Sequence, residues 1–138
     1  MNEYVLDACA LVAYFNREEG WNELWKLLRR TAGANTKIRI NAINLLEVYY
    51  GYCKSPGQQY ADRVFDIISE LQITVNNEIS NTLLKHAAYL KTKYGRMSLA
   101  DAILLAEASV NGGTIVTADH KELDKVDIDG EIDFEWFR

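Results

Sequence analysis

Four carboxylates sit among apolar neighbours: Asp7 in YVLDACALVAYF, Glu47 in NAINLLEVYYGYC, Asp101 in SLADAILLAEA and Asp119 in TIVTADHKEL. An ionised carboxylate in such surroundings is costly unless it is paired or binds a metal. Gathered in one place, four of them would repel one another strongly, and an empty cluster of that kind makes poor structural sense. Hard divalent cations remove the difficulty, because magnesium takes oxygen ligands and keeps several waters that a phosphate or a nucleophile can replace. The chemistry such a set supports is in-line displacement at phosphorus. Metal ions would acidify a water, align it and offset charge on the leaving oxygen, with no protein nucleophile needed.

Each residue alone also has a plain structural reading. Asp7, at a strand–helix junction, fits an N-cap. Glu47 fits an exposed position on an amphipathic helix, although its neighbours Leu46 and Val48 leave no broad polar face and Gly51 leaves open space one turn on. Ser98 and Asp101 have the spacing of a capping box, yet Leu105 and Ala108 share the Asp101 face and point it inward. Asp119, with Asp124, Asp127 and Asp129 close behind, fits a solvated acidic loop, and only its place directly after a strong strand sets it apart. It is the set of four that favours chemistry.

To meet, these residues need a scaffold that brings strand ends and helix faces to one rim. Short β-rich runs at residues 4–6, 36–40, 73–75, 114–117 and 132–137 predict strands, the last at an edge. Apolar residues at three- and four-residue spacing predict helices over 8–16, 18–30, 43–53, 78–94 and 98–110, and another that starts at Ser55-Pro56 with proline in its first turn and runs to Leu71. Strands alternating with helices imply an α/β fold with a mainly parallel central sheet and helices on both faces. Ligands of such sheets bind outside the carboxyl ends of the strands, where Asp7 and Asp119 fall.

With 138 residues and 49% hydrophobic content, residues 1–138 are expected to form a single domain. The first residues have no basic segment before their apolar stretch, and no apolar run nears the ~20 residues that span a bilayer, so a cytoplasmic protein with no membrane partner is expected. Cys9 and Cys53 lack metal-ligand spacing and read as reduced thiols. A net charge of −5 weighs against a nucleic-acid partner. The objection weakens if part of that charge holds divalent cations, which would then be the largest local positive charges.

In order, spacing and context, YVLDACAL, INLLEVYYG, SLADAILLAEA and TIVTADHKEL resemble the motifs of PIN-domain nucleases, and the compact size is similar to that of VapC-type toxins of toxin–antitoxin pairs. The resemblance runs nearly end to end. It implies a PIN-like three-layer α/β/α sandwich, endoribonuclease activity on RNA that needs Mg2+ or Mn2+, a homodimer, and an antitoxin that wraps the protein and blocks its acidic pocket. Carried over by position, Asp7, Glu47, Asp101 and Asp119 would be the catalytic, metal-holding residues. Two positions depart from the pattern: Cys9 stands where the family commonly has a hydroxyl residue, and Leu123 where it often has an aromatic one. The first puts a supporting hydrogen bond in question.

Other signals are secondary. Thr117 could support a neighbouring carboxylate, although an ordinary β-branched strand residue explains it more readily. Lys91, Lys93 and Arg96 could meet RNA phosphates or simply favour a helix C-terminus. His86 and His120 have no partner at metal-ligand or triad spacing, and His120 is placed only at the pocket's edge. Trp21, Leu24, Trp25 and Leu28 supply a partner face or core packing, and Tyr49, Tyr50 and Tyr52 invite the same two readings, with base stacking a weaker third. The rival functions are a housekeeping RNA-processing nuclease, a non-catalytic PIN-like binding module, and a phosphotransferase with Asp7 as nucleophile. The last lacks the second aspartate that such enzymes carry, since Cys9 stands there.

Overall fold

The computed structural model describes residues 2–33 and 35–138. Five strands, β1 (Asn2–Leu6), β2 (Thr36–Asn41), β3 (Ile73–Asn76), β4 (Thr114–Thr117) and β5 (Phe134–Trp136), form one sheet in the order β3-β2-β1-β4-β5. All four pairings are parallel, so every strand ends on the same rim. Seven helices cover the sheet: α1 (Ala8–Asn16), α2 (Trp21–Arg30), α3 (Ala42–Lys54), α4 (Gln58–Glu70), α5 (Asn81–Tyr94), α6 (Leu99–Asn111) and α7 (His120–Asp129).

The two faces follow from strand alternation. Leu6, Ile38, Ile40 and Val116 point to one side, where α1 to α4 pack with Leu11, Leu24, Leu27, Val48, Val64 and Ile68. Val5 and Ile115 point to the other, against Leu83, Leu90, Leu104, Leu105, Leu123 and Val126 of α5, α6 and α7. The sandwich of helix, sheet and helix is the expected architecture, with a sheet that is wholly rather than mainly parallel. Among the described residues no helix is long and apolar enough to cross a membrane.

Several element limits differ from expectation. The helix expected from residue 18 begins at Trp21, because Gly20 adopts a left-handed φ of 91° as its N-cap. That glycine is required: a Cβ there would lie 2.2 Å from the Phe137 carbonyl oxygen. Pro56 is not in a helical first turn; Ser55-Pro56 is a cis peptide in a turn, and α4 starts after Gly57. Helix α5 begins at Asn81 rather than at residue 78, since Ser80 caps it through its hydroxyl on the Leu83 amide. Helix α7 was not anticipated: HKELDKVDID offers only Leu123 and Val126 to the core, too few to show a stripe.

Candidate metal centre

The first carboxylate is placed by the end of β1. Asp7 leaves the strand in an extended conformation, and its Oδ1 accepts the Ala8 amide at 2.7 Å, so it does cap α1. The cap uses one oxygen only. Oδ2 accepts the Thr117 hydroxyl at 2.8 Å and the Cys9 thiol at 3.5 Å. Asp7 is 5% exposed, and burial raises its pKa more than these hydrogen bonds lower it; the charge of Asp119 raises it further.

Asp119 follows β4 in the strand beside β1. Its amide donates to the Thr117 hydroxyl at 3.0 Å, and its Oδ1 accepts the Glu122 amide at 3.2 Å as the N-cap of α7. Asp101 arrives from the helical layer. Ser98 caps α6 by accepting the Asp101 amide at 3.0 Å, which fixes the first turn and turns the Asp101 side chain to the rim, where it is 8% exposed. Burial pushes its pKa to about 7, and the charges of Asp7, Asp119 and Glu47 add to the rise.

One ligand atom from each of Asp7, Asp101 and Asp119 lies within 4.8 Å of the others. Asp7 and Ser98 are caps as their positions suggest, and Asp119, expected in a solvated acidic loop, is a cap as well; each cap engages a backbone amide while the carboxylates converge. Glu47 differs. It is exposed on α3 and lies outside that trio. Partial desolvation raises its pKa, and so do the charges of Asp7 and Asp119, which places it at the open side of the same field.

Cys9 supplies what the usual hydroxyl would. Burial, followed by the negative charge of Asp7, pushes its thiol up to about 12, so the proton stays on sulfur and points to an acceptor. Its Sγ also lies 3.6 Å from Thr117 Oγ1. Thr117, fully buried, takes the supporting role that its residue type alone left open.

Among the described residues no lysine or arginine forms an ion pair with any of the four carboxylates. The contrast within this molecule is Glu107 of α6, fully buried but answered by Asn76 at 2.9 Å, Asn111 at 2.7 Å and Arg39 at 3.7 Å. Sequence reasoning missed that network, because its members come from β2, β3 and α6 with no shared motif. A buried carboxylate that serves structure carries its own cation; Asp7 and Asp101 do not. An all-oxygen, anionic donor set without a protein counter-charge fits a hard divalent cation.

The remaining sequence signals fall elsewhere. Lys91 donates to the Met97 carbonyl, and Lys93 pairs with Glu131 at 3.4 Å and Asp129 at 3.8 Å, so neither is free beside the cluster. Tyr49 and Tyr52 hydrogen-bond Asp62 and Asn16, and Tyr50 is exposed. On α2, Leu24 enters the core, whereas Trp25 stays exposed under the Arg29 guanidinium.

The sequence profile of the PIN domain matches residues 4–129. No curated protein matches the chain. Among solved structures, a chain of VapBC2 from Rickettsia felis, bound to a DNA fragment from their promoter, superposes with a TM-score of 0.75 at 21% identity over 97% of this chain and 98% of that one. VapBC-1 from nontypeable Haemophilus influenzae gives 0.70 at 17% identity over 98% of both chains, and DNA-bound VapBC from Salmonella typhimurium gives 0.69 at 22% over 100% of both. The likeness is one of fold, and with the profile spanning most of the sequence the chain belongs to the PIN domain family.

Proposed function

We propose that this chain is a metal-dependent endoribonuclease, the toxin of a toxin–antitoxin pair. The family is one of nucleases. The observation that carries the metal-dependent reading is the meeting of Asp7, Asp101 and Asp119 at one strand rim without a protein cation.

In this reading the three aspartates hold Mg2+ or Mn2+, which when bound supplies a Lewis acid that acidifies water and offsets charge on phosphodiester oxygens. The protein's own part is orientation. Thr117 and Cys9 hold Asp7 through Oδ2, the Glu122 amide holds Asp119 through Oδ1, and the Ser98 cap sets the turn that carries Asp101. Glu47, on the exposed side of the same field, completes the acidic set.

RNA as substrate is supported by the motif resemblance, and an antitoxin as partner by that resemblance and by the VapBC structures that share the fold. An apolar groove of about 400 Å3 beside Asp101, lined by Ile43, Ile79, Leu84, Leu99 and Ile103, offers surface to a partner chain. Self-association belongs to the same reading and is measured by light scattering.

The test is cleavage of RNA by purified protein. Mg2+ or Mn2+ should be required and chelation should stop it; Asp7→Asn and Asp101→Asn should abolish it with the fold intact by circular dichroism. Glu47→Gln should slow cleavage while weakening metal binding less than Asp101→Asn does. If both aspartate variants cut RNA as fast as the parent, the assignment is wrong.

A further inference from the structure

Beyond the acidic cluster, the same rim carries a column of flat rings. Phe134 and Trp136, two residues apart on β5, stack with ring centroids 5.3 Å apart and planes within 10°. The His120 ring continues the column over Trp136 at 4.0 Å and 14°. Because the first two rings follow the strand, the column runs along β5 toward its carboxyl end, the edge on which Asp119 sits one residue before His120.

The column is fixed in its own plane. Trp136 Nε1 donates to Asp127 at 2.9 Å; His120 Nδ1 lies 2.8 Å from Asp124 and Nε2 lies 2.7 Å from the Arg138 carbonyl oxygen. With its edges held and one face against Trp136, His120 still leaves 49% of its side chain exposed. Phe134 and Trp136 lie beyond residues 4–129, so the profile that identifies the family does not include them.

We propose that the outer face of His120 is a stacking platform for one base of the single-stranded nucleic acid whose phosphodiester is cut at the acidic cluster. The proposal rests on the nuclease reading for the identity of its ligand. A flat ring already ordered by stacking and hydrogen bonds loses little freedom on binding, and every nucleobase presents a π face that it can accept. The cluster repels the phosphates that it must receive until cations are bound, and a base held beside it gives the strand an anchor that does not depend on charge.

The test compares the parent, His120→Ala and His120→Phe. Anisotropy in calcium reports binding of labelled single-stranded oligoribonucleotides, either intact or with one abasic position moved along the strand. In the parent, removal of one particular base should weaken binding about 5- to 150-fold, the range that stacking of one base spans. His120→Ala should bind the intact strand that much more weakly and lose the sensitivity, while His120→Phe, which keeps a ring, should retain it. Equal sensitivity in His120→Ala and the parent, no sensitivity or no binding in the parent, or His120→Phe behaving as His120→Ala overturns the platform. Magnesium-dependent cleavage is followed in parallel: base-sensitive binding without cleavage sinks the nuclease reading alone, and cleavage without base-sensitive binding sinks the platform alone.

Discussion

The hydroxyl of Thr117 lies 2.8 Å from Asp7 Oδ2 although the two residues are 110 positions apart. Thr117 Oγ1 in turn accepts the Asp119 amide at 3.0 Å, so one buried side chain sets both strand-end aspartates. Thr117→Val keeps the shape and removes the bridge. Metal affinity should fall about 10- to 100-fold, the usual effect of losing a partner that orients a ligand, and Thr117→Ser should stay near the parent. Calorimetric titration with Mn2+ checks this; equal affinity in the parent and Thr117→Val would remove the bridge from the account.

Asp101 makes the metal-free protein sensitive to pH. Its carboxyl titrates near 7 in the fold against 3.8 in the unfolded chain. Between those values the folded state keeps a proton that the unfolded chain has released, so this residue's contribution to stability falls as the pH rises from 3.8 towards 7. In EDTA, the melting temperature of the parent relative to Asp101→Asn should drop across that interval. Saturating Mg2+ should reverse the trend for the parent alone, since a ligand carboxylate must be ionised. Parallel melting curves in EDTA for the two proteins would refute it.

Cys9 should behave as a proton donor and not as a nucleophile. With its thiol pushed up to about 12, the thiolate that alkylating agents require is scarce at about pH 8. Iodoacetamide followed by mass spectrometry should find Cys9 unmodified in the folded protein and modified in denaturant. Cys9→Ser, with a stronger donor in the same place, should cut RNA at least as fast as the parent, whereas Cys9→Ala should be slower. Rapid native alkylation would contradict the assigned proton.

Glu107 should matter to stability more than its distance from the cluster suggests. Glu107→Ala leaves the side-chain amides of Asn76 and Asn111 without their acceptor, while Arg39 keeps Glu3 at 3.2 Å and the Gly112 carbonyl. Leaving buried donors unpaired costs about 1–3 kcal/mol, which urea unfolding would register. A loss below about 1 kcal/mol, the scale of an exposed pair, would show that the network is dispensable.

The strands were legible because their apolar runs are short and bounded by turn residues, and 114–117 stood out after Gly112 and Gly113. Asp7 and Asp119 could be placed together because a parallel sheet puts all strand ends on one rim, and Asp101 could be turned inward because Leu105 and Ala108 share its helix face. Glu47 was harder: the helix face it shares gives its position but not how far α3 carries it from the trio. Helix α7 stayed hidden behind its charge, and with it went the environment of His120, whose stacking partner comes from a strand sixteen residues later. The thiol of Cys9 looked like a defect, since only its distance to Asp7 shows that sulfur can replace oxygen there.

The sheet order also says when the acidic centre comes into being. Strand β1 is central in the sheet, yet its partner β4 and the loop that bears Asp119 follow it by more than a hundred residues. No nascent fragment that stops short of residue 119 holds all three aspartates. The trio therefore assembles only after β1, α6 and β4 have all been made.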